Sequence, residues 1–153
     1  MRNLAELNIN EGGRTVSRGL PTARALEQLE SEFGLALPTG LRELLEFANG
    51  GHPELDAVDG ESGDYAVNQF YHLVENDHGT ESIWYAVEHW QPVLGRSALP
   101  FANDAGGNQF FLDMSSTPPP VKLCLHAHGF RVVDVAPTFE AFIDSLQLDP
   151  DID

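Results

Sequence analysis

Apolar residues recur at helical spacing in the first third of the chain and at strand spacing through most of the remainder. From Thr22 onward, Leu26, Leu29 and Phe33 fall three and four residues apart. Pro21 and Thr22 suit a helix start there, and Gly34 suits its end. A second helix is predicted from Pro38, with Leu41, Leu44, Leu45 and Ala48 as its stripe and Asn49-Gly50-Gly51 as its stop. Residues 52–64 read as a polar loop of Asp, Glu and Gly. Ala66 to Val74 reads as one strand or two short ones, and Glu81 to Trp90 as a short helix carrying Trp84, Val87 and Trp90.

Strands then dominate. Leu99 to Ala102 leads through Asn103-Asp104-Ala105-Gly106-Gly107 into Asn108 to Met114, which predicts a hairpin closed by Asp104, Gly106, Gly107 and Asn108. Val121, Leu123 and Leu125 alternate with Lys122, Cys124 and His126, as in a half-buried strand. After a turn at Ala127-His128-Gly129, Phe130 to Val135 should pair back. Thr138 should cap a last helix bearing Phe139, Phe142, Ile143 and Leu146. Short turns between successive strands predict a single α+β domain, a mainly antiparallel sheet with helices packed on it. Residues 1–21 form an N-terminal extension in this reading, 22–147 the domain, and 148–153 an acidic tail. The extension has few apolar anchors, and Gly12-Gly13 marks a turn in it.

Composition adds one unusual quantity. Twenty-four Asp and Glu against eight Lys and Arg give 8 − 24 = −16. No Lys or Arg occurs between Arg42 and Arg96, where Glu43, Glu46, Glu54, Asp56, Asp59, Glu61, Asp64, Glu75, Asp77, Glu81 and Glu88 all lie. Such a stretch produces a sustained negative field, at some cost in self-repulsion. Phosphate backbones and anionic membrane surfaces are disfavoured as partners, whereas a basic protein would be drawn in. No apolar run approaches the ~20 residues of a membrane span. The single cysteine, Cys124, has no intrachain disulfide partner, which fits a reducing cytoplasm.

Candidate chemistry is sparse. Cys124 and His126, two apart on a predicted strand, would share a face at about 7 Å, too far for direct proton transfer. His72, His78, His126 and His128, with Glu75 and Asp77, show no zinc-binding spacing, and Asp56, Asp59, Glu61 and Asp64 do not fit a calcium loop. The glycine turn at 103–108 lacks the Lys and the following helix of a phosphate loop. Trp84, Tyr85 and Trp90 are expected as core anchors. No catalytic residue, metal or cofactor is expected.

The punctuation of the elements resembles the SUKH superfamily, the Smi/Knr-type domain of fungal cell-wall assembly regulators and bacterial toxin-immunity proteins. The resemblance rests on Leu37-Pro38, Leu41 to Leu45 and Asn49-Gly50-Gly51, then on Leu99 to Asp113, which is similar to the family's most characteristic hairpin. Pro120 to Leu123, His126 and Phe139 to Ile143 complete it, so that it spans roughly Thr22 to Leu146. Ala105 stands where a third glycine is common, and Cys124 where a large aromatic is frequent. Residues 52–90 match least. The resemblance implies a non-enzymatic binding domain: an immunity protein that sits on a basic toxin, such as a nuclease, or a regulatory or scaffolding domain for a cellular protein. Together with the charge distribution it makes Asp56, Asp59, Glu61, Asp64, Glu75 and Asp77 the expected partner contacts.

Overall fold

The computed structural model describes residues 1–10, 19–58 and 65–148. Helix α1 (Ala23–Phe33) begins where Thr22 Oγ1 accepts the Ala25 N–H at 3.1 Å, and it ends on Gly34 in the left-handed region, φ 63°. Helix α2 (Thr39–Phe47) follows, then strand β1 (Gln69–Phe70) and helix α3 (Ile83–Leu94). Strands β2 (Ala98–Asn103), β3 (Gln109–Asp113), β4 (Val121–Leu125) and β5 (Arg131–Ala136) lead to helix α4 (Phe139–Ser145), capped by Thr138 as expected. The sheet runs β1-β2-β3-β4-β5 in chain order with every neighbour antiparallel; β2 to β5 are joined by short connections that turn the chain straight back, whereas β1 reaches β2 through the long segment that carries α3.

The pleat sends Leu99 and Phe101 of β2, Phe110 and Leu112 of β3, and Val121 and Leu123 of β4 into the main core. There Phe101 meets Phe139 and Phe142 of α4 edge-to-face, at 5.2 and 5.4 Å between ring centres. Each such fully buried side chain contributes about 1.5–3 kcal/mol. The opposite face carries a smaller cluster, Ala98, Phe111 and Cys124, against which Trp90 and Leu94 of α3 pack. Strand β4 is therefore covered on both faces at its centre, and the half-buried alternation expected for it is not observed: Cys124 is fully buried. Trp84, Tyr85 and Trp90 are only half-buried; both tryptophans lie against the core rather than inside it.

Two further departures follow from hydrogen bonding. Helix α3 continues past Trp90 to Leu94 with Pro92 inside it. A proline in the last turn removes a single helical hydrogen bond, and the Gly95 N–H still reaches Gln91 O at 2.8 Å. The 66–74 run yields a strand of only two residues because its backbone groups go to separate partners: Phe70 to Gly51, Tyr71 to Phe101, His72 to Glu81 and Leu73 to the Asn49 side chain. The first residues are held firmly. Leu4 and Leu7, on a 3-10 turn (Leu4–Leu7), enter the main core, and Arg2 Nη1 donates to Ile143 O and Leu146 O at 3.1 and 2.6 Å, at the C-terminal end of α4. The turn expected at Gly12-Gly13 lies outside the described residues. Among the described residues, no helix is long and apolar enough to cross a membrane.

Candidate protein-binding face

The β2–β3 turn is built around one carboxylate. Asp104 Oδ1 accepts the Gly106 and Asn108 N–H groups at 2.9 and 2.8 Å, and its Oδ2 accepts from Asn108 Nδ2 at 2.8 Å. Gly107, at φ 86°, takes the left-handed step that lets the chain reverse. Asn108 Oδ1 in turn accepts the His126 N–H at 3.1 Å, and His126 Nε2 lies 2.7 Å from Gly106 O. A carbonyl only accepts, so Nε2 carries the proton in that bond. The imidazole thus braces the hairpin from 20 residues away, a role that no local spacing reveals.

This arrangement also disposes of the thiol–imidazole pair. Strand β4 ends at Leu125, and His126 opens an exposed 3-10 turn (His126–His128) rather than continuing the strand beside Cys124. Burial pushes the Cys124 thiol up, away from the thiolate a nucleophile needs. Among the described residues no three His, Cys, Asp or Glu side chains are gathered as a metal site.

The expected contact residues fall into two places. Asp56 is half-buried and lines a pocket of about 300 Å³ with Ala66, Val67, Asn68, Asp104, Ala105 and Gly106, so the acidic loop meets the hairpin turn there. Asp59, Glu61 and Asp64 lie outside the described residues. Glu75 and Asp77 sit instead in the turn before α3. Glu75 Oε1 accepts from the hydroxyl of Thr22, the capping residue of α1. Asp77 Oδ2 lies 2.8 Å from His72 Nε2, while Oδ1 accepts the Gly79 N–H at 2.9 Å. Both carboxylates are half-buried and hydrogen-bonded within the fold. Of the other acidic residues in the cation-free stretch, Glu43, Glu46, Glu54 and Glu88 are exposed.

The sequence model of the SMI1/KNR4 family (SUKH-1) matches residues 20–145, from just before α1 to the end of α4. The chain belongs to this family. No curated protein matches it. SUKH-1 membership supports a protein-binding role of the immunity or regulatory kind, and domains of this family are generally non-catalytic.

Proposed function

We propose that this SUKH-1 chain is a cytoplasmic immunity protein that captures a basic toxin domain, a nuclease being the chemistry best matched to its charge. The observation that carries the reading is the cation-free stretch between Arg42 and Arg96 with its eleven carboxylates. Nucleic-acid enzymes carry Lys and Arg to hold phosphates, and an acidic antagonist meets that surface with faster encounter. Asp56, beside the hairpin, and the loop residues Asp59, Glu61 and Asp64 are assigned to the contact, and Glu75 and Asp77, in the turn before α3, to a second acidic region separate from it.

The test is coexpression with the C-terminal region of the protein encoded by the neighbouring gene, followed by a count of surviving cells. Specific relief of killing supports the proposal and supplies the partner. A toxic neighbour that kills equally well in its presence overturns that pairing, and recovery of an ordinary cellular protein in its place favours the regulatory role. With the partner in hand, reversing Asp59, Glu61 and Asp64 to Lys should slow association about tenfold at low salt, with little change in folding. Unchanged kinetics would remove the loop from the interface.

A further inference from the structure

Helices α1 and α3 enclose a groove of about 650 Å³ that is separate from the hairpin pocket. One wall is the face of α1 that carries Glu27, Gln28, Ser31 and Glu32, with Arg24 one turn earlier; the other is formed by Asn76, His78, Trp84 and Glu88. Trp84 and Glu88 are four apart on α3 and so lie on one face. The His78 ring stacks on Trp84 at 6.2 Å and 25°, and its Nδ1 lies 2.6 Å from Glu88 Oε1. Glu27 and Glu32 are exposed and have no ion-pair partner among the described residues.

We infer that this groove receives an arginine-bearing segment of the protein partner. Three carboxylates face a single guanidinium, Arg24, so the lining is complementary to added positive charge. A planar guanidinium can continue the stack from the exposed His78 ring that lies on Trp84, while its N–H groups reach carboxylates at the rim. The walls are already fixed. The Thr22–Glu75 hydrogen bond ties the start of α1 to the turn bearing Asn76, Asp77 holds Gly79, and Ser82 Oγ accepts the Trp84 N–H at 3.0 Å. Little ordering cost therefore falls on the protein side when a segment enters. In this arrangement Glu75 and Asp77 are positioning residues for the groove.

The inference rests on the proposal of a basic partner but fails separately from it. The probe is a hexa-arginine peptide, titrated calorimetrically into the full chain at 50 mM salt, with hexa-citrulline as its neutral counterpart. Hexa-arginine should bind one to one and hexa-citrulline should not. Glu27→Gln, Glu32→Gln and Glu88→Gln together should weaken binding about tenfold, the sum expected for three exposed ion pairs. Trp84→Leu should weaken it about fivefold. Glu43, Glu46 and Asp134, exposed carboxylates outside the groove, changed together to Gln should weaken it less than threefold. Absence of hexa-arginine binding, or an equal loss in the two triple variants, overturns the groove. In the survival assay, equal rescue by the wild type and the groove triple variant removes the groove while leaving the immunity role intact. A chain that binds hexa-arginine through these residues yet rescues no cell leaves the groove standing without the toxin.

Discussion

Both oxygens of Asp104 are engaged by backbone and side-chain donors of its own turn, so this carboxylate acts on stability before it acts on any partner. Asp104→Ala is expected to lower the unfolding free energy by about 1–3 kcal/mol in a urea titration, because the half-buried Asn108 donors lose a charged acceptor while the exposed Gly106 N–H turns to water. A loss below 0.5 kcal/mol would mean that the glycines alone hold the hairpin. Tyr71 makes a pH-dependent counterpart. Its hydroxyl bonds Gln109 Oε1, and burial pushes its pKa up to about 12. The folded state thus holds this proton more tightly than the unfolded chain, whose tyrosines titrate near ~10. The resulting stabilisation, roughly 2–3 kcal/mol, is complete below pH ~10 and is lost as pH rises through about 12. Tyr71→Phe should be slightly less stable at pH 7 and should lack that alkaline decline. Denaturation midpoints for the two proteins that fall in parallel from pH 9 to 12 would refute the assignment.

At the scale of elements, the join between α2 and the sheet depends on Asn49. Its Nδ2 donates to Leu73 O at 2.8 Å and its Oδ1 accepts the Leu73 N–H at 2.7 Å, while the next glycine but one, Gly51, exchanges hydrogen bonds with Phe70. Asn49→Ala leaves two buried backbone groups unmatched and should cost about 2–4 kcal/mol in chemical denaturation. Asn49→Asp keeps the acceptor but not the donor, and should recover at most half of that loss. The sequence already marks this spot, since Asn-Gly-Gly after an amphipathic stripe is a helix stop, but it does not say where the amide points. The same division holds elsewhere. Caps at Thr22 and Thr138, the stripes of α1 and α2, and the glycine turn of β2–β3 are local patterns, and they are legible. The brevity of β1 depends on partners tens of residues away, and the extension of α3 through Pro92 on a last turn that tolerates the missing N–H. The acidic stretch is legible as composition, yet tertiary structure separates Asp56, beside the hairpin, from Glu75 and Asp77, beside α1. The α1–α3 groove joins helices about 50 residues apart and leaves no spacing to read.

For the molecule as a whole, a net charge of −16 sets two salt dependences of opposite sign. Raising NaCl from 10 mM to 0.5 M shortens the screening length from about 30 Å to about 4 Å. Self-repulsion then weakens, and Tm should rise by roughly 2–8 °C, the equivalent of about 1–2 kcal/mol for a chain of this size. Association with a basic partner should slow over the same range. A Tm that stays flat or falls would show that the carboxylates are locally compensated. The sheet, by contrast, owes little to distant sequence, since its strands pair in the order in which they occur. Helix α4 does the reverse. It and the residues just after it reach back to Arg2, to Gly40 through Glu140, and to Ala57 through Gln147. During synthesis the β2–β5 meander can therefore assemble early, but Arg2 meets its carbonyl partners only once Ile143 and Leu146 have been made. Chains that end before α4 lack those anchors for the N-terminal segment, and ribosome-stalled chains of that length should be cut by protease within the first ten residues where released chains resist.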